Sequence, residues 1–198
     1  MKHTGTKCLE TARLLLRPFR AQDGESCLRC WAADPDLYRY ISQEPMSPQD
    51  VADWLSTSDR AYADPQTYYW AIVEQASGDV IGEIFVDDFS GRNGWCELDW
   101  KVGKAFQGKG YATEAARAVL RYLFGEVGFH RVQAKCCVEN TASERVMQRI
   151  GMVREGVLRD FFLGRDHRRH DVVLYAALSP TEDTGCRSGD NAQIREQH

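Results

Sequence analysis

The stretch Val102-Gly103-Lys104-Ala105-Phe106-Gln107-Gly108-Lys109-Gly110-Tyr111-Ala112-Thr113 decides how the rest of the chain is read. It joins two different periodicities. Before it, Trp95 to Val102 reads as a strand. After it, Ala112, Ala115, Ala116, Val119, Leu120 and Leu123 recur at three- and four-residue spacing, which predicts a helix buried on one face. Glycines at 108 and 110 let successive N–H groups converge just where a helix begins, and the helix start adds partial positive charge. The product is a nest suited to an oligophosphate. Gly110 and Ala112 leave room for close approach of the ligand. A glycine-rich strand-to-helix turn without a ligand is the alternative. Two common phosphate motifs are excluded. Gly-x-x-x-x-Gly-Lys-Ser/Thr does not occur, and Gly-x-Gly-x-x-Gly fails because position 113 is Thr and no βαβ unit surrounds it.

Upstream, Arg13 to Phe19 reads as a first strand ended by Pro18, and Asp23 to Ala33 as a helix stopped at Asp34-Pro35. Ser47-Pro48-Gln49-Asp50 is a helix start, with Val51, Trp54 and Leu55 as its apolar stripe. Tyr68 to Val102 reads as an antiparallel meander with turns at Ser77-Gly78-Asp79 and Gly91 to Gly94. Downstream come a strand over His130 to Val138, a helix over Asn140 to Ile150 stopped by Gly151, and a hairpin of Met152–Leu163 with Arg168–Leu178 around Gly164 to His167. The order is β-α-α-β-β-β-α-β-α-β-β. It predicts an α+β domain with a mixed, mostly antiparallel sheet of about seven strands and about four helices. Residues 1–10 read as a loose, flexible N-terminus, residues 11–178 as the domain, and residues 179–198 as a disordered tail with little to bury.

Composition bounds the function. The chain has 198 residues, 43% hydrophobic and 27% charged, with a net charge of −4. A global basic footprint for nucleic acid is therefore missing. No apolar run is long enough to span a bilayer, and the first ten residues hold no apolar core of a secretory signal. Seven cysteines without framework spacing point to reduced thiols and a cytoplasmic location. Cys27 and Cys30 form a lone Cys-x-x-Cys, read as two thiols on one helix face; no second pair follows, so no metal is expected. Cys136 and Cys137 point to opposite faces of their strand.

Gln107-x-x-Gly110-x-Ala112 after a strand resembles the pyrophosphate loop of the GNAT superfamily of N-acetyltransferases. Asn140-Thr141-Ala142-Ser143 and Ile150-Gly151-Met152 are similar to that family's later helix start and stop, with Met152 in place of Phe. Thr11 to Phe19, Tyr111 to Ala115, Gly156 to Asp160 and Asp171 to Tyr175 are similar to the RimJ/RimL-like branch, so the resemblance covers about residues 9–178. It implies the GNAT fold, acetyl-CoA as donor and an amine as acceptor. The amine implied by the branch is a protein N-terminal α-amino group, such as that of a ribosomal protein. A small-molecule amine is the runner-up acceptor. An inactive CoA-binding module is the rival class.

The resemblance also implies site residues. Backbone N–H groups of Trp100, Lys101 and Val102 on a splayed strand would hold pantetheine and the acetyl oxygen, and a β-bulge is expected there. Gln107, Gly108, Lys109, Gly110, Tyr111, Ala112 and Thr113 would hold the pyrophosphate, with Asn140 and Ser143 completing the CoA contacts. Glu97 shares one strand face with Asp99 and Lys101. Glu97 matches a family position often occupied by Glu and would take the amine proton, directly or through water, with Asp99 and water itself as alternatives. The family's usual Tyr acid position holds Met147, so Ser143 is the candidate partner of the leaving thiolate; helix capping is the plainer role of Asn140 and Ser143. The cluster Arg165, His167, Arg168, Arg169 and His170 reads as a solvated turn that could also touch RNA or a CoA phosphate. Trp54, Tyr62, Tyr68, Tyr69 and Trp70 could line an acceptor groove, with core packing favoured for Trp54 and Trp70. The chain is expected to be a monomer or homodimer.

Overall fold

The computed structural model describes residues 1–180. The expected tail therefore lies, from residue 181 on, outside the described residues. Eight strands form one sheet: β1 (Leu9–Glu10), β2 (Leu14–Arg17), β3 (Tyr69–Glu74), β4 (Val80–Ser90), β5 (Trp95–Val102), β6 (Arg131–Cys137), β7 (Val153–Leu163) and β8 (Arg169–Leu178). Their order is β1-β2-β3-β4-β5-β6-β8-β7. Every neighbouring pair is antiparallel except β5 and β6. One strand is added to the expected seven. Leu9–Glu10 is too short to show a period, and it pairs because Leu16 and Leu15 stand opposite.

Four α-helices flank the sheet: α1 (Gly24–Cys27), α2 (Pro48–Tyr62), α3 (Tyr111–Tyr122) and α4 (Thr141–Arg149). α1 runs on as a π turn over Leu28–Ala32. α2 begins as its sequence dictates. The Ser47 hydroxyl accepts from the Asp50 N–H, and the Asp50 carboxylate accepts from the Ser47 N–H at 2.8 Å, a reciprocal box.

The two faces of the sheet bury different cores. Leu14, Leu16, Trp70, Ile72, Ile84, Leu98, Val132 and Val173 pack with Ala115, Ala116 and Val119 of α3, Leu123 of the turn that follows it and Met147 of α4. Phe19, Trp31, Val51, Leu55, Ala71, Val73 and Val80 form a smaller core with α1 and α2 on the other face. The entry to α1 is fixed by a buried fork: Arg17 donates from Nη1 and Nη2 to the two Asp23 oxygens, each at 2.8 Å. Cys136 packs against the first core and Cys137 points to the opposite face, as strand alternation requires.

Residues 1–10, read as loose from their polarity, lie against the domain. Lys2 N–H donates to Val127 O and Gly5 N–H to Pro65 O, both at 2.8 Å. The Thr4 and Tyr122 hydroxyls are 2.6 Å apart. The segment docks by these hydrogen bonds, by Leu9 against the core and by the His3 ring, 5.5 Å from that of Phe89, contacts that local hydropathy does not register.

Candidate active site

The site begins where the parallel ladder ends. β5 and β6 pair only through Trp95–Arg131, Cys96–Val132 and Glu97–Gln133. β6 continues to Cys137 against β8, and β5 continues to Val102 against β4. Between residues 98–102 and 134–137 the strands therefore part, and alternate N–H groups of Leu98 to Val102 turn into an open gap. Trp100, Lys101 and Val102 all lie along it. The register shift in β5's pairing falls between Val86 and Phe89 of β4, not at Trp100 to Val102 as expected. There Asp87 and Asp88 of β4 stand opposite the single residue Glu97, one extra residue, while Gly82 to Val86 pairs regularly with Val102 to Leu98. The bulge bends β4 opposite Glu97 and brings Asp87 toward the strand's acidic face.

The glycine loop caps one mouth of this gap. Gln107 Nε2 donates to Val102 O at 2.9 Å, which ties the loop to the end of β5. Gly108 and Gly110 sit at φ +76° and +86°, the left-handed region that costs an L side chain strain. α3 starts at the next residue. Among the described residues, the N–H groups of Gly108, Lys109 and Gly110 make no backbone hydrogen bond of good geometry. Thr113 is buried in the first turn of α3, and Ala112 packs against the core.

Arg13 braces this loop, a role its place in the first strand does not suggest. Its Nη1 donates to Lys109 O at 3.0 Å, its Nε to Glu114 at 2.7 Å, and its guanidinium lies 4.5 Å from the Tyr111 ring centroid. Tyr111 in turn donates its hydroxyl to Glu74. Partners about a hundred positions apart leave no local signal. A groove of about 460 Å³ adjoins Gly110 and carries Arg117, Arg121 and Arg149, so the potential outside the nest is positive.

At α4, the Asn140 side chain accepts from Ser143 N–H at 3.2 Å. Asn140 is thus the helix cap, and Ser143, half-buried, sits in the first turn. Met147 is fully buried in the core.

The opposite face of β5 is polar. Glu97 is 5% exposed; its Oε2 accepts from Gln133 Nε2 at 2.9 Å and its Oε1 lies 2.8 Å from Lys135 Nζ. Lys101 Nζ donates to Glu83 at 2.6 Å and to Gln43 at 3.0 Å. Asp99 lies between them, half-buried, opposite Phe85. Oxygens of Asp87, Glu97 and Asp99 all lie within 4.8 Å of one another. Burial, and then the charges of Glu97 and Asp87, push Asp99 up to about 7. Asp87 and Lys135 were not singled out from the sequence, because a bulge and a strand crossover bring them here.

Two other sequence candidates fall elsewhere. Tyr68 and Trp70 are 2% and 0% exposed in the first core, and Trp54 meets Phe19 and Trp31 edge-on and Tyr69 at a tilt in the second, so this set packs rather than lining a groove. In the last hairpin, Arg165 pairs with Glu44, and His170 lies 3.2 Å from Asp166.

A sheet split after a parallel pair, a loop with two positive-φ glycines at one mouth and a carboxylate cluster on the far face make up the candidate site. The family model for the acetyltransferase (GNAT) domain matches residues 13–153, and the chain belongs to that family. It is an acetyl-CoA-dependent N-acetyltransferase. It is 31% identical over 170 residues to the uncharacterized N-acetyltransferase YnaD of Bacillus subtilis, covering 86% of this chain and 96% of that protein. It is 30% identical over 114 residues to the [ribosomal protein uS5]-alanine N-acetyltransferase of Escherichia coli, 57% of this chain and 58% of that one. A GNAT-family acetyltransferase structure from Bacillus anthracis superposes with a TM-score of 0.76 at 29% identity, over 87% of this chain and 99% of that one. No helix among the described residues is long and apolar enough to cross a membrane.

Proposed function

We propose that the chain transfers the acetyl group of acetyl-CoA to the α-amino group at a protein N-terminus. Residues 11–178 form the catalytic unit in this reading. The gap between β5 and β6 carries it: one opening joins the nest, the free backbone donors of β5 and the carboxylate face. The loop from Gln107 to Thr113 holds the pyrophosphate, and the arginines beyond Gly110 favour its charge. Backbone N–H groups of Trp100 and Val102, the alternate residues whose N–H groups turn away from β4, receive the pantetheine and the carbonyl oxygen, on which charge builds during attack. The acceptor arrives across the polar face, where its ammonium group gives up one proton to a carboxylate. The neutral nitrogen then bonds to the carbonyl carbon and the C–S bond breaks. Ser143 relays the nitrogen's second proton to the sulfur, beside the cap made by Asn140. An α-amino group, with a pKa of about 7.8, is roughly one-tenth neutral at pH 7, so a carboxylate near neutrality suffices. The similarity to the E. coli enzyme, named for an alanine of ribosomal protein uS5, supports a protein acceptor.

Thiol release from acetyl-CoA tests the reading. The acceptors are short peptides beginning with Ala, Ser or Met, free amino acids, and aminoglycosides. The peptides are expected to exceed the others in kcat/KM by at least about tenfold, one 1.4 kcal/mol step in transition-state binding. Preference for free amino acids or aminoglycosides would move the assignment to small amines. CoA binding without turnover on any acceptor would leave only a binding module.

A further inference from the structure

We propose that Asp99, rather than Glu97, accepts the proton of the incoming ammonium group, and that Glu97, held by Lys135, is a positioning residue that sets how readily Asp99 takes it. The proposal rests on the acetyl-transfer reading above and assigns its base.

Geometry separates the carboxylates on this face. Glu97 is 5% exposed and belongs to the last rung of the parallel ladder. Each of its oxygens has a partner, Gln133 at 2.9 Å and Lys135 at 2.8 Å. A carboxylate so held must break an ion pair to take a proton. Glu83 is likewise committed, to Lys101 and the Tyr69 hydroxyl. Asp87 is exposed and lies on β4, one strand away from the gap. Asp99 stands two residues past the last rung, on the same face as Glu97, where β6 has moved away. Its carboxylate has no hydrogen-bond partner among the described residues, so its oxygens are available to an acceptor.

The charges around Asp99 favour a held proton. Glu97 on its own strand and Asp87 on β4 are within 4.8 Å. The two cations that face it, Lys101 on β5 and Lys135 on β6, are each paired with another carboxylate, Glu83 and Glu97. The Cys136 thiol of β6, itself pushed up to about 12 by burial, adds no charge near neutrality. From β7, the Phe161 ring lies 5.0 Å beyond Lys135 Nζ and brings none either. Burial and the two carboxylates together hold Asp99 near 7. A free Glu97 would raise it, and removal of the Glu97 charge would lower it.

The step balances. One ammonium proton passes to Asp99, and the freed lone pair forms the N–C bond. The C–S bond then breaks, the second proton goes to sulfur, and Asp99 returns its proton to water.

The full-length protein with ¹³C-labelled aspartate reads the titration directly. The Asp99 signal, assigned by its loss in Asp99→Asn, is expected to titrate near 7. Glu97→Gln should move that midpoint down by about one unit or more, and Lys135→Gln should move it up. The kcat–pH profile with the best peptide acceptor is expected to follow. At pH 6, Glu97→Gln should be several-fold faster than the parent, and Asp99→Asn about 10²-fold slower at pH 7. A large loss in Glu97→Gln at every pH with a near-normal Asp99→Asn would overturn the proposal and make Glu97 the base. Unchanged profiles in both would overturn it in favour of water. If Lys135→Gln does not fold, Glu97→Gln alone decides. Should no peptide be acetylated by the parent protein, the N-terminal reading falls, while the Asp99 titration still tests the Glu97 dependence.

Discussion

Glu97 and Gln133 form the last pair of the parallel ladder between β5 and β6, and their side chains repeat the pairing with a 2.9 Å hydrogen bond. Beyond them the sheet opens. The same contact therefore closes the ladder and anchors the carboxylate cluster at the mouth of the gap.

The loop of Gly108 and Gly110 is expected to be intolerant of side chains for two separable reasons. Gly110→Val places a branched group at φ +86°, with its Cβ 3.5 Å from Arg13 Nη2. Strain should cost about 1–2 kcal/mol of stability. CoA affinity, measured by calorimetry, should fall at least about tenfold, because the side chain stands where the ligand's oxygens approach. Unchanged affinity in the folded variant would remove this loop from the CoA site.

Ser143→Ala should lower kcat by roughly 10²-fold, the low end for loss of proton relay. CoA affinity should change far less, since the nest is elsewhere. The Asn140 cap should persist, because it accepts from the Ser143 backbone N–H and not from the hydroxyl. A stopped-flow comparison of parent and variant separates the two quantities. Equal kcat would return Ser143 to a purely helical role.

Asp99 should leave a signature in stability as well as in rate. Its folded value near 7 lies above the unfolded value near 3.8, so the native state binds more protons between those limits. Stability from this group is therefore present below about pH 4 and lost as pH rises through about 7. Three units correspond to at most about 4 kcal/mol. Asp99→Asn should raise Tm at pH 8 and have little effect at pH 4. Urea melts at both pH values provide the check; the reverse order would contradict the assigned shift.

The Arg17–Asp23 fork predicts a large loss from a small change. Both residues are under 9% exposed, and the pair is bidentate. Asp23→Ala leaves a buried guanidinium without its anion and should cost about 3–5 kcal/mol in chemical denaturation. A cost below about 1 kcal/mol would mean that water reaches Arg17 as readily as in the unfolded chain.

Much of the fold is legible in local pattern. The meander, the helix after Gly110, the Asn140 start and the last hairpin each rest on a period or a cap within a few residues, and local chemistry decides such features. β1 is not legible, because two residues carry no period and pair only through contact with Leu15 and Leu16. The docking of residues 1–10 is hidden for a related reason: its hydrogen bonds reach Pro65, Tyr122 and Val127, all distant in sequence.

The site divides along the same line. The turn at Gly108 and Gly110 and the helix start after it are legible by themselves, since positive φ and a helix start are properties of adjacent residues. The face shared by Glu97, Asp99 and Lys101 also follows from strand alternation alone. Their charge states do not. Lys135 and Gln133 reach Glu97 from β6, Asp87 arrives through a bulge in β4, and Glu83 claims Lys101 from across the same ladder. Which carboxylate is free depends on burial and on partners some 10 to 40 positions away. Sequence alone determines the carboxylates and their strand face; only the tertiary structure decides which of them is left unpaired at the open edge.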